Sequence, residues 1–471
     1  MSYPGQIHHP HVLGTPPNAH LISQPDGPDK PYVPQGLELL QATWIVRHGE
    51  RTPVKERLSG VGEIPAIFPL CSFGKQFQTC VMSLTSPAIL DGHDSTTFQG
   101  QDQGSQGSPP LEAIPLSKPK DPMEVYRTSE SPGSANNHIA RGPNDCIWGQ
   151  LTDLGKQSTL TLGGILHSIY VNQLGFLPEK LTEKNQFSIY LRSTDMPRTV
   201  ESLLHITQGI FPDREVPVRY TVRTPFEESL YPNSMCRNLV RMNALAEVKV
   251  LEDFNPTLEA LDSTWSKYND GKPIRIDGKP RASGLLDTIV ASNAHGIKVP
   301  SELCDLEKVV TLEKAVVQEW FATYKFHGDR FKRLAMGRML GDLKNSMDGS
   351  IRGTDPVKLA VMTCHDTSIG GILNSLDVFD WRWPPFTSHI SFELFKTQPP
   401  QSFISRLLHP TSHYVRVRYN GKPVKIPSCA PAGKHLKDSN GSVCTYEAFN
   451  EAIKKVEVTT AEWKELCATK N

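Results

Sequence analysis

The chain has 471 residues, enough for two or three compact units or one large elaborated domain. Fifty basic and fifty acidic side chains cancel, which argues against a nucleic-acid coat or a membrane-surface protein, since both need a net positive face. Apolar residues are 38% of the chain, and no run approaches the roughly 18–20 apolar residues of a membrane span, so an integral membrane protein and wholesale disorder are both excluded.

Residues 1–36 read as a mobile arm, rich in proline and without the basic start and apolar stretch of a secretory signal. Arginine is absent before Arg47, which speaks against a mitochondrial presequence. With nine cysteines spread widely, the expectation is a reduced intracellular protein of the cytoplasm, with the mitochondrion as the alternative. Ala42 to Val46 is a short apolar, β-branched run that predicts a buried strand ending at Arg47-His48-Gly49. Between residues 61 and 146 periodicity is poor, and Asp91 to Pro110 almost lacks large apolar groups, so this stretch reads as a loop-rich, partly disordered insertion.

Order returns at Leu151, where apolar spacing predicts a helix from near Thr152 to about Val171. Phe187–Leu191 reads as a second strand ending at Arg192-Ser193-Thr194, and Val200–Ile210 as the following helix. Residues 213–350 look mainly helical and predict a cap, with the clearest helix from Leu312 to Met347 and a break near Gly328. A third strand, Val357–Thr363, stops at Cys364-His365-Asp366, and a helix starts near Thr367. Ile390–Leu394 and Tyr414–Tyr419 are further strands, the last closed by the turn signal Asn420-Gly421. The pattern is α/β: a mixed, mostly parallel central sheet with helices on both faces, built from residues 37–60, 147–212 and 351–471.

Three predicted strands thus end in polar clusters. In open α/β sheets, sites form beyond the carboxyl ends of the strands, so these groups are expected to converge. Arginine forks suit phosphate oxygens. A neutral imidazole can attack phosphorus, and an aspartic acid can protonate the departing oxygen. No spacing suggests a metal site or any cofactor.

Arg47-His48-Gly49-Glu50-Arg51-Thr52-Pro53 resembles the RHGxRxP motif of the histidine phosphatase superfamily, in its acid phosphatase branch. The likeness continues through Gly149-Gln150-Leu151-Thr152, Gly155, Arg192-Ser193-Thr194, Arg198, His365-Asp366-Thr367 and Tyr419-Asn420-Gly421-Lys422. Shorter segments, Leu230-Tyr231-Pro232-Asn233, Leu286-Asp287 with Ala294-His295, and Trp383-Pro384-Pro385-Phe386, are similar to the lysophosphatidic acid phosphatase type 6 group. The resemblance implies a phosphoglycerate-mutase-like fold and a phosphomonoesterase working through a phosphohistidine. It implies His48 as nucleophile, Asp366 as proton donor, and Arg47, Arg51, Arg192 and His365 as the phosphate clamp. His295 and Glu50 are candidates to line the site; Arg198 reads rather as a brace. The partner expected is a small-molecule or lysolipid phosphomonoester, with no nucleic acid and no stable membrane insertion. Phytate, small soluble phosphomonoesters and a non-catalytic phosphate-binding role stay as alternatives.

Overall fold

The computed structural model describes residue 22 and residues 31–72, 76–79, 83–84, 116–117, 123–126, 144–398 and 411–468. The chain divides into two compact units, Met1–Phe68 with Ile147–Asn471, and Pro69–Cys146. In the second unit Gln76–Thr79 pairs antiparallel with Met123–Tyr126, and Ser83–Leu84 with Leu116–Ser117. A disulfide joins Cys71 to Cys146 there. The predicted disorder at Asp91–Pro110 lies outside the described residues.

The first unit is built on one sheet whose strands are β1 (Leu37–Arg47), β2 (Ile189–Ser193), β3 (Leu359–Cys364), β4 (His389–Thr397), β5 (His413–Tyr419), β6 (Lys422–Pro423) and β7 (Val443–Thr445). Their order is β6-β5-β4-β1-β3-β2, with β7 paired to β5. The class is mixed α/β, as the sequence implies. β1, β3 and β2 run parallel, while β4, β5, β6 and β7 pair antiparallel.

Both faces of the sheet are buried, and the period of two in β1 and β3 shows how. Ala42, Trp44 and Val46, with Leu359 and Val361, join one apolar cluster with Leu162, Leu166 and Ile206 of α1 (Asp153–His167) and α2 (Pro197–Ile210). Ile45, Ala360, Met362 and Cys364 point the other way, into a second cluster. A third cluster, which includes Leu258, Trp265 and Ile289, is built by α3 (Arg237–Trp265), α4 (Ala282–Ala294) and the first part of α5 (Leu306–Arg352). After β3 comes α6 (Asp366–Ser375), and the chain closes with α7 (Tyr446–Val456) and α8 (Thr460–Ala468). The break expected near Gly328 is present: that residue has φ 53° and ψ −139° inside α5. α1 begins where Thr152 caps it, its hydroxyl accepting from the Gly155 amide at 3.3 Å. The second strand starts two residues later than expected, because Gln186–Ser188 form a 3-10 turn that leaves Phe187 exposed.

Two expectations are corrected. The arm is not free at its C-terminal end: Tyr32 is buried, and its hydroxyl bonds Glu393 of β4 and Arg418 of β5. Glu393 meets Arg416 at 2.9 Å and Arg418 at 3.0 Å, all three wholly buried, and Arg418 also donates to the Ile22 carbonyl at 2.7 Å. The cysteines are not all thiols either: Cys236 is bonded to Cys467 and Cys429 to Cys444, leaving Cys304 and Cys364 free among the described residues. A 231-residue separation between Cys236 and Cys467 hid the pairing; the fold brings their Cα atoms to 4.8 Å. No described helix is long and apolar enough to cross a membrane.

Candidate active site

The carboxyl ends of the three parallel strands meet, as their topology requires. β1 delivers Arg47 and, one residue on, His48, whose amide donates to the Cys364 carbonyl of β3 at 3.0 Å. β2 delivers Thr194, whose hydroxyl lies 3.0 Å from Nε2 of His365. β3 delivers His365 and Asp366. The turn after β1 can approach α1 only because both sides lack a side chain. A Cβ on Gly155 would lie 2.1 Å from the Glu50 carbonyl, and one on Gly49 would lie 2.4 Å from the Gly155 carbonyl.

A cavity of about 610 Å³ opens here, lined by His48, Arg51, Arg198, His365 and Asp366 among others; Arg47 does not line it but reaches it through its ion pair with Asp366. His48 is buried, and its Nδ1 lies 2.9 Å from the Gly49 carbonyl. A carbonyl can only accept, so Nδ1 carries the hydrogen and Nε2 keeps the lone pair. Burial first, then the charges of Arg47, Arg198 and Arg51, hold this imidazole well below its ordinary pKa, and so neutral. His365 is likewise lowered, to about 3, chiefly by burial and Arg198.

Arg47 donates Nη1 to the Pro384 carbonyl at 2.5 Å and pairs Nη2 with Oδ2 of Asp366 at 2.8 Å, its guanidinium 4.4 Å above Phe386. Arg51 pairs with Oδ1 of Asp287 at 2.8 Å. The buried Nε atoms of Arg47, Arg51 and Arg198 have no acceptor in the protein. The Arg192 Nε is unmet as well, so what sets these three apart is their clustering beside His48: grouped guanidiniums suit an incoming oxyanion. Burial would raise the Asp366 carboxyl, but Arg47 and Arg51 outweigh it and hold the group below the usual aspartate value.

Four sequence expectations are corrected. Arg192 does not line the cavity; it is buried with Nη2 2.6 Å from Glu228 and Nη1 3.7 Å from Asp342, so its charge is spent within the protein. Arg198, six residues on in the first turn of α2, lines the cavity instead. Pro197 at the helix start was the available signal, since it places Arg198 in the first turn of a helix that begins just past the end of β2. Glu50 is also off the cavity, buried with its carboxylate 2.5 Å from the Ser158 hydroxyl. His295 is a brace: Nε2 meets the Thr152 hydroxyl at 2.8 Å and Nδ1 the Ala291 carbonyl at 2.7 Å, using both ring nitrogens. Asp287 and Arg57 line the cavity without having been singled out for it; Asp287 stands in the short Leu286-Asp287 segment of the family likeness, and no motif marks Arg57.

The remaining wall is apolar: Leu239, Val240, Trp320, Phe321, Tyr324 and Trp383 all contribute. Among the described residues no cluster of His, Cys, Asp or Glu is arranged to hold a metal.

Residues 38–420 match the family model described as histidine phosphatase superfamily (branch 2). A probable acid phosphatase of Schizosaccharomyces pombe is 31% identical, over 91% of this chain and 94% of that one. Bovine lysophosphatidic acid phosphatase type 6 is 23% identical, over 95% of this chain and 90% of its own length. Among solved structures, a multiple inositol polyphosphate phosphatase of Bifidobacterium longum has TM-score 0.55 at 11% identity, covering 96% of this chain and 98% of that one. A phytase of Hafnia alvei has TM-score 0.53 at 13% identity, covering 92% and 99%. At such identities these two likenesses establish the fold alone.

Proposed function

Since the chain belongs to branch 2 of the histidine phosphatase superfamily and is an acid phosphatase, we propose that His48 is its nucleophile, Asp366 its proton donor, and Arg47, Arg51, Arg198 and His365 its phosphate clamp. The observation that carries this is a buried His48, held neutral by its surroundings and bonded through Nδ1 to the Gly49 carbonyl, which shares one cavity with Arg51 and Arg198 and has Arg47 close by. Nε2 attacks phosphorus, the P–O ester bond breaks, and Asp366 gives its proton to the leaving oxygen. Water then attacks the phosphohistidine, loses its proton to the Asp366 carboxylate, and frees phosphate and His48.

Asp366 must hold a proton at the first step although Arg47 keeps it ionised in the free protein. A bound phosphate dianion resolves this, because it draws on the same guanidinium charges and adds negative charge beside the carboxylate, raising its pKa. Arg192 takes no part in this reading.

For substrate we favour lysophosphatidate or a similar single-chain lipid phosphate. The aromatic and aliphatic wall beside the cationic end supports it, as does the likeness to a protein named lysophosphatidic acid phosphatase. The three disulfides favour an oxidising compartment over the expected cytoplasm.

The test is kcat/KM across lysophosphatidate, a nucleotide, a sugar phosphate and phytate, with His48→Ala as control. Lysophosphatidate should lead, and His48→Ala should abolish turnover and acid-labile phosphoenzyme with every substrate. Better turnover of the sugar phosphate or phytate would overturn the substrate class; surviving turnover in His48→Ala would overturn the nucleophile.

A further inference from the structure

Asp287 reaches the site from α4, not from a strand end. Its Oδ1 lies 2.8 Å from Nη1 of Arg51, while Oδ2 accepts from the Val54 amide at 3.0 Å and sits 3.9 Å from Arg57. Arg51 does not need this carboxylate to be held. Nη1 also donates to the Thr52 carbonyl at 3.0 Å, and the guanidinium lies 5.6 Å from the centre of the Phe386 ring. What Asp287 alters is the charge.

Among the described residues, the guanidiniums of Arg47, Arg51, Arg57 and Arg198 gather here against the carboxylates of Asp287 and Asp366. In the free site, with Asp366 ionised and His48 and His365 neutral, the excess is two positive charges, which matches one phosphomonoester dianion. We infer that Asp287 is a specificity-determining residue that trims the positive charge of the site to that of a single dianionic phosphate and so disfavours ligands with more negative charge. The inference rests on the reading that phosphate binds among Arg47, Arg51 and Arg198.

The physical basis is repulsion. A carboxylate one guanidinium away from a bound anion weakens it, and the penalty grows in proportion to the anion's charge. Without Asp287 the site would carry three excess charges and would hold pyrophosphate or a polyphosphorylated ring better than it now does.

Asp287→Asn tests this, because the amide keeps the side chain's size and its acceptor for the Val54 amide while removing the charge. Binding of inorganic phosphate and of pyrophosphate is measured by calorimetry at pH 7, independently of turnover. Both should bind more tightly, phosphate by about tenfold and pyrophosphate by clearly more, as Coulomb scaling requires. Arg57→Gln should do the reverse, weakening pyrophosphate more than phosphate, and it carries the test if Asp287→Asn does not fold. Arg198→Ala is the control on the site itself. If it leaves phosphate binding unchanged, the phosphate site is wrongly assigned. If it weakens phosphate but Asp287→Asn weakens both anions or leaves them alone, the site stands and the charge-trimming role is overturned. Equal effects of Arg57→Gln on the two anions overturn it as well.

Discussion

Replacing Asp366 with asparagine separates chemistry from binding, because the two losses fall on different substrates. An alkyl phosphate leaves as a poor alkoxide and needs a proton as the P–O bond breaks. General-acid help of this kind is worth roughly 10²–10⁴-fold. At 1.36 kcal/mol per decade this is a barrier increase of about 3–5 kcal/mol. p-Nitrophenyl phosphate leaves as a stabilised phenolate and should lose only a small part of that. The clamp should survive the change. Arg47 loses its 2.8 Å partner but keeps the Pro384 carbonyl and the Phe386 face, and the asparagine oxygen can still accept from the Thr367 amide, as Asp366 does at 2.8 Å. KM for the aryl substrate should therefore move little. The assay is kcat/KM for an alkyl and an aryl phosphate at pH 5, with phosphoenzyme trapped by acid-free quench and folding followed by circular dichroism. Equal losses on both substrates in a folded protein would remove Asp366 as donor. Glu50 would not replace it, being tied to Ser158 off the cavity; Asp287, the other carboxylate on the cavity wall, would be the next to test.

The pH profile should be acid-centred, with an optimum of about pH 5–6. Its acid limb should lie below the ordinary histidine range because burial and three arginines keep His48 neutral there, and its alkaline limb should follow ionisation of Asp366 in the complex; rates that stay flat to pH 8 with an alkyl ester would contradict this. Glu393→Gln should cost about 3–5 kcal/mol in urea unfolding at pH 7, since it strands Arg416 and Arg418 in the interior. Burial opposes ionisation of Glu393 but the two arginines lower it to about 2, so its contribution should be full above its ordinary value of 4.5 and fade as pH falls towards 2; a variant as stable as the parent would refute the role.

The convergence of the candidate site was legible because His48, His365 and Asp366 sit just past strand ends. β1 and β3 are short apolar runs stopping at charged residues, and parallel strands bring such stops together whatever their distance in sequence. Arg192 misled for the same reason: it too stands near a strand end, but alternation along β2 turns it to Glu228, a partner 36 residues away that no local pattern announces. Asp287 stood out only as part of a short family-like segment; its role was hidden because it depends on α4 packing near Arg51, a tertiary fact. The arm was judged by proline content, whereas what fixes Tyr32 is a buried charge group on β4 and β5, more than 350 residues downstream.

The broken helix α5 bears on how such an enzyme changes over evolutionary time. Up to Val316 its apolar residues belong mainly to the helical lobe, and from Phe331 onward they belong to the sheet's own core. Trp320, Phe321 and Tyr324 precede the break at Gly328 and Phe331 follows it, with Tyr324 and Phe331 packed edge to face at 4.7 Å. The apolar part of the cavity, which the proposed function gives to the leaving group, is thus hung on a backbone joint, while His48, His365 and Asp366 are hung just past strand ends. A lineage that moves or straightens the joint re-cuts the acceptor pocket and leaves the nucleophile untouched. New leaving groups become reachable by neutral steps in a segment that takes no part in the reaction.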